Sequence, residues 1–231
     1  MRWNPALLLR LRGGVEPFAP VSQSDDALAN AATAEAVAAL RAGQPVVLPT
    51  DTVYGLCADP YREAPVRRLA RLKGRPESIP IALLAADFEL ILDAVPELRG
   101  RAAVTCRKLV PGPYTLVVPN PASRFRWLTG SNPQAIGIRV PELPAEARVV
   151  VERVRCVAAT SANLHGGPDP ARVEDIPGEL IDAAAAVVDV GVLPGTASTV
   201  IDLTGREPQI LREGAVGADE ALATIARAAS E

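Results

Sequence analysis

Apolar residues recur along this chain with two different periods, and the switches between them mark out its elements. Ahead of Gly43, the positions Leu28, Ala31, Ala32, Val37 and Leu40 fall near helical spacing, which predicts a helix over 26–42. The compact apolar run Val46-Val47-Leu48 then predicts a strand at 45–49. Carried along the chain, the same reading predicts strands near 54–58, 80–85, 114–118, 136–140, 156–160, 186–190, 198–203 and 209–212. Helices are predicted near 62–73, 97–109, 144–154, 174–184 and 218–229. Such alternation predicts one α/β domain with a twisted sheet and flanking helices. The stretch Asn120 to Gln134, rich in Pro, Ser and Asn, reads as a surface loop. Residues 1–24 mix Trp3 and Leu7-Leu8-Leu9 with Arg2, Arg10 and Arg12. That apolar core is too short for a secretory signal, so 1–24 reads as a disordered extension ahead of a domain at 25–231.

Composition narrows the picture. A chain of 231 residues with 48% hydrophobic content can bury the core of one α/β domain. Its net charge of −3 is not the footprint of a dedicated nucleic-acid binder, whose affinity rests on neutralising phosphates. A weak tRNA contact would need a local patch such as the arginines between Arg67 and Arg75. Cys57, Cys106 and Cys156 are widely spaced in apolar surroundings, as expected of reduced thiols in a cytoplasmic protein. With His165 as the only histidine, neither a zinc site nor a Ser-His pair is expected, and no metal ligands are assigned. No apolar run reaches the length of a membrane span, so no membrane partner is expected.

Four segments place polar groups at strand ends. Pro49-Thr50-Asp51-Thr52-Val53-Tyr54-Gly55-Leu56 follows the first strand, where open α/β sheets usually bind their ligands. Taken alone, its hydroxyls and glycine are equally ordinary turn chemistry. In Leu72-Lys73-Gly74-Arg75-Pro76, Gly74 and Pro76 end a basic helix. On an extended segment Lys73 and Arg75 would point the same way, with no packing role, and their donors suit a polyphosphate. Ser161 and Asn163 follow the apolar strand from Cys156, and Ser198 and Thr199 precede the strand through Ile201 and Asp202. Together these segments point to a site for an anionic, hydroxyl-bearing ligand.

These motifs resemble those of the YrdC-like threonylcarbamoyl-adenylate synthases, in the short bacterial form. The resemblance rests on Pro-Thr-Asp-Thr-Val-Tyr-Gly-Leu at 49–56, Lys-x-Arg-Pro at 73–76, Pro-Gly-Pro-Tyr-Thr-Leu at 111–116, Ile-Arg-Val-Pro at 138–141, Ser-Ala-Asn at 161–163 and Ser-Thr-Val-Ile-Asp at 198–202, in the family's order over about 30–215. It implies a mixed sheet with a concave, basic active-site face. It also implies a nucleotidyltransferase that forms threonylcarbamoyl-adenylate and pyrophosphate from L-threonine, bicarbonate and ATP, magnesium arriving with the ATP. Proteins that transfer the product to tRNA would act downstream. By resemblance, Lys73, Arg75, Ser161 and Asn163 hold phosphates and form the catalytic set, and Arg212 contacts the nucleotide. Thr52, Arg139 and Ser198 bind threonine, Arg139 being suited to clasp its carboxylate. Ile79 and Leu84 stand where some relatives carry polar groups; they either line the pocket or pack into the strand. Two other readings remain open: a noncatalytic RNA-binding or ribosome-assembly protein on the same fold, and an enzyme forming carbamoyl-adenylate from carbamoyl phosphate.

Overall fold

The computed structural model describes residues 23–229. Helix α1 (Gln23–Arg41) begins before the expected boundary at 24/25, so that boundary falls inside a helix, and residues 1–22 of the extension expected over 1–24 lie outside the described residues. The chain continues through β1 (Val46–Pro49), β2 (Tyr54–Ala58), α2 (Glu63–Leu72), β3 (Ala82–Ala85), α3 (Phe88–Ala94), α4 (Gly100–Leu109), β4 (Tyr114–Pro119) and β5 (Ala135–Arg139). It ends with α5 (Ala145–Val154), β6 (Cys156–Ser161), α6 (Gly178–Ala183), β7 (Ala186–Val187), β8 (Thr199–Asp202), β9 (Gln209–Arg212) and α7 (Ala218–Ala229).

Two differences from the pattern have local causes. Helix α3 lies where no element was expected, because Phe88, Leu90, Ile91 and Leu92 form a short apolar run with no clear period. Its start is nonetheless fixed by Asp87, whose carboxylate accepts the Leu90 N–H at 2.8 Å. The helix expected over 174–184 is broken. A 3-10 turn at Val173–Asp175 is separated from α6 by Ile176 and Pro177, since proline has no N–H to continue a helix.

The strands form one mixed sheet in the order β7-β1-β2-β6-β3-β5-β4-β8-β9. Alternate residues of each strand face opposite sides. On one side, Val47, Leu56, Leu83, Leu116, Ile138 and Ile201 join a core closed by α2, α4, α6 and α7 through Val66, Leu69, Cys106, Leu180 and Ile225. On the other, Val46, Leu48, Cys57, Leu84 and Val157 are covered by α1 and α5 through Val37, Leu40, Val150 and Val151. Those two helices cover only the β7-to-β3 half of that face. The β5-β4-β8 half stays open.

Candidate active site

The sheet face that α1 and α5 partly cover has a floor of small side chains in one row, which runs from β6 and β3, at the margin of the covered half, onto the open half. Ala159 of β6 pairs with Ala82 of β3, and the registers carry the row through Gly137 of β5 and Val117 of β4 to Asp202 of β8. These five residues line a cavity of about 440 Å³. Where α1 and α5 cover the same face, its positions carry Val46, Leu48, Leu84 and Val157 instead. The cavity thus results from a change of side-chain size along a continuous sheet face, with no gap between domains.

Arg75, Arg139, Ser161, Ser198 and Arg212, all expected from the sequence, line this cavity. Thr52, Lys73 and Asn163 do not line it but are buried and bonded to residues that do, Thr52 to Arg139 and Lys73 and Asn163 to Ser161. Three guanidinium groups therefore share one concave lining with a single carboxylate, Asp202. Burial and the nearby Arg212 charge both pull the Arg75 pKa down. Burial also lowers that of Arg139, against the pull of Asp51. A cavity that makes its own cations costly to hold favours a polyanionic ligand.

Each charge is held by identifiable bonds. Arg139 Nη2 donates to Asp51 Oδ1 at 2.8 Å and to Thr52 Oγ1 at 3.1 Å, forming a buried ion pair across 88 residues of sequence. Thr50 holds the turn that presents these partners, its hydroxyl donating to the Val53 carbonyl at 2.8 Å. Burial outweighs Arg139 and lifts the Asp51 carboxyl above its ordinary range. Arg75 spans the cavity wall, donating to Thr160 Oγ1 at 3.1 Å and to the Pro80 carbonyl at 2.6 Å. Arg212 donates to the Ser198 carbonyl at 2.7 Å, while Ser198 Oγ lies 2.8 Å from Thr115 Oγ1. Gly214 makes this approach possible, since a Cβ there would come within 2.2 Å of the Ala197 carbonyl oxygen.

Lys73 departs from its expected geometry. It is not on an extended segment; it caps α2 in helical conformation, and Gly74 follows at φ 61°. Its side chain is 2% exposed. The ammonium donates to the Ser161 carbonyl, to the Asn163 carbonyl at 2.6 Å and to Asn163 Oδ1 at 2.7 Å. Lys73 therefore has a packing role, contrary to expectation: it ties the Ser161-Ala162-Asn163 turn to the end of α2. Ser161 Oγ completes the knot by donating to Asn163 Oδ1 at 2.7 Å. Burial and the Arg75 charge bring the Lys73 pKa from 10.5 down to about 8.

The fold also brings in groups that the sequence did not single out as ligands. Thr129, Ser131 and Asn132 belong to the stretch expected to be a surface loop, yet they line the cavity. Gly130 allows this, because a Cβ would lie 2.3 Å from the Ser78 carbonyl oxygen. Close packing there lets Ser131 N–H donate to that carbonyl at 3.1 Å. Thr115 could have been found from alternation, as the hydroxyl between the core residues Tyr114 and Leu116. Leu84 is 1% exposed in the core under α1 and α5, and neither it nor Ile79 lines this cavity. The arginine run is partly committed: Arg67 pairs with Glu63 and Glu77, and Arg68 donates to Gln44. All three cysteines are free and buried. No described helix is long and apolar enough to cross a membrane.

Comparison with known proteins bears on the family and the fold. The Sua5/YciO/YrdC family model, described as telomere recombination, matches residues 38–214. A putative threonylcarbamoyl-AMP synthase of Mycobacterium tuberculosis is 36% identical over 185 residues, which is 80% of this chain and 84% of that protein. The crystal structure of Pyrococcus abyssi Sua5 complexed with L-threonine superposes with a TM-score of 0.77 at 32% identity, covering 85% of this chain and 58% of that one. Escherichia coli YciO superposes at 0.74 with 26% identity, covering 84% and 93%. This chain thus spans little more than half of the Pyrococcus protein and nearly all of YciO. On the match of its motifs, its sheet and its sequence, the chain belongs to the Sua5/YciO/YrdC family.

Proposed function

We propose that this protein is a threonylcarbamoyl-adenylate synthase, acting on L-threonine, bicarbonate and ATP. The observation that carries the reading is the convergence of Arg75, Arg139 and Arg212 on one cavity whose other polar groups are mostly hydroxyls. Such a lining suits a polyphosphate and an amino-acid carboxylate together, and relatives at 31–36% identity carry the synthase name. Arg139, held by Asp51 and Thr52, clasps the threonine carboxylate beside Ser198. Arg75, Ser161 and Arg212 take the phosphate chain, with Lys73 and Asn163 fixing the turn that presents Ser161.

In this reading the threonine amine, having lost its proton, forms an N–C bond with carbon dioxide derived from bicarbonate. A carbamate oxygen then attacks the α-phosphorus of ATP, and the bond to the β-phosphate oxygen breaks to release pyrophosphate. No protein nucleophile takes part. The residues supply alignment and positive charge where the leaving group's charge grows. Magnesium enters as part of the MgATP substrate. Only one carboxylate lines the cavity, and the described residues contain no cluster of three metal-ligating side chains, so in this reading the ion is held mainly by the triphosphate. The product would pass to tRNA-modifying proteins in the cytoplasm.

Pyrophosphate release from ATP, with threonine and bicarbonate omitted in turn, tests the proposal. Release that needs both supports it. Release driven by carbamoyl phosphate instead assigns the chain to carbamoyl-adenylate chemistry. RNA binding without nucleotide turnover assigns it to the noncatalytic reading.

A further inference from the structure

We propose that Asp202 is the residue that reads the ribose of the nucleotide, accepting a hydrogen bond from a sugar hydroxyl. The inference rests on the reading of the cavity as an ATP site and names a specificity residue within it. Asp202 ends the floor row opposite Ala159, four strand spacings of about 4.8 Å away, or roughly 19 Å. An extended nucleoside triphosphate is a polyanion at one end and a set of hydroxyl and ring donors at the other. The cavity has the matching polarity.

Its cations turn away from Asp202: Arg75 towards Thr160, Arg139 towards Asp51, and Arg212 towards Ser198. Asp202 forms no ion pair among the described residues. Asp202 Oδ1 accepts from the Thr204 N–H at 2.8 Å and the Thr204 hydroxyl at 2.6 Å, an Asx turn that fixes the carboxylate's direction at the start of the β8-to-β9 connection. Oδ2 has no protein partner among the described residues. A half-buried carboxylate on a cavity wall, oriented by one oxygen and free at the other, presents a strong acceptor to a neutral donor. Arg212, on the neighbouring strand, places the α-phosphate next to this acceptor in the proposed binding mode. The sugar follows the α-phosphate directly in ATP, so its hydroxyls are the first donors within reach.

Asp202→Asn separates this role from turn formation, because an asparagine carbonyl still accepts the Thr204 N–H. The experiment measures calorimetric Kd values for ATP, 2′-deoxy-ATP, 3′-deoxy-ATP and inosine triphosphate, in the parent and in Asp202→Asn. Direct binding makes the result independent of turnover, so failure of the synthase reading and failure of this inference are told apart. In the parent, one deoxy analogue should bind about tenfold or more weaker than ATP, as expected for loss of a charge-assisted hydrogen bond. In Asp202→Asn that ratio should fall towards one, through weaker ATP binding and little change for that analogue. A deoxy ratio unchanged by the substitution overturns the assignment. So does an equal shift for all four nucleotides, or a loss of discrimination confined to inosine triphosphate, which would place the purine amine at Asp202.

Discussion

Lys73→Met removes the ammonium while keeping the length and apolar stem of the side chain, so its two consequences can be separated. The first is structural. The Ser161 and Asn163 carbonyls lose their Lys73 donor, while Asn163 Oδ1 keeps that of Ser161. Two orphaned buried acceptors cost about 1–3 kcal/mol each. Against this, burial holds the Lys73 pKa at about 8 instead of 10.5, and removing so costly a charge returns roughly 3 kcal/mol at neutral pH, from 1.36 kcal/mol per pKa unit. Taken at mid-range these terms leave a net loss of about 1 kcal/mol, so Tm should fall by about 2–4 °C in a chain of this size. The second consequence is catalytic. Removing the charge behind the phosphate site should lower pyrophosphate formation by about 10²–10³-fold.

The pH dependence carries a definite sign. The folded pKa of Lys73 is lower than the unfolded one, so the burial cost is present in full below pH 8. It fades as the pH rises from about 8 to 10.5. Over that window the parent should gain stability relative to Lys73→Met, while its kcat/KM falls above about pH 8 as the ammonium loses its proton. Circular-dichroism melts and steady-state pyrophosphate assays across pH 7–10.5 read both trends. A parent-minus-variant stability difference that stays flat across the window would refute the burial account, and near-normal turnover in the variant would refute the catalytic one.

Other consequences are equally direct. Asp51→Asn leaves the Arg139 guanidinium buried without its counter-charge, so stability should drop by about 3–5 kcal/mol in chemical denaturation. Calorimetric titration should find threonine binding weakened in the same variant, whereas unchanged affinity would mean that Arg139 does not clasp the substrate. At Gly137 a Cβ meets nothing closer than Thr115 Cγ2 at 3.5 Å, so Gly137→Ala should be tolerated. The longer side chain of Gly137→Leu would lie across the floor and should raise the KM for ATP at least tenfold with little change in Tm; an unchanged KM would place the nucleotide elsewhere. Leu84→His puts a polar ring into the core under α1 and α5, so Tm should fall while the preference for threonine over serine stays fixed. A changed preference would show that position 84 reaches the ligand.

Local chemistry made much of this protein legible before any coordinates. Most strands and helices announced themselves through apolar period and terminators, and the positions of Arg75, Arg139, Ser161, Ser198 and Arg212 could be named from motifs. Local signals failed where a residue's role depends on a distant partner. Nothing near Lys73 in sequence reveals that its ammonium meets carbonyls from β6 and the turn beyond it, 88 and 90 residues on. Asp51 sits in an evident turn motif, yet its ion pair is made by a strand 88 residues later. The loop through Thr129 and Ser131 has the composition of a surface segment, and only its packing on Ser78 turns it into a cavity wall. The small residues Ala82, Gly137 and Ala159 are unremarkable one by one. Registers across the sheet set them side by side, where the side chains shrink at the margin of the face that α1 and α5 cover. Secondary structure follows from near neighbours along the chain, whereas a cavity and its buried charges depend on strand order and on which faces the helices cover.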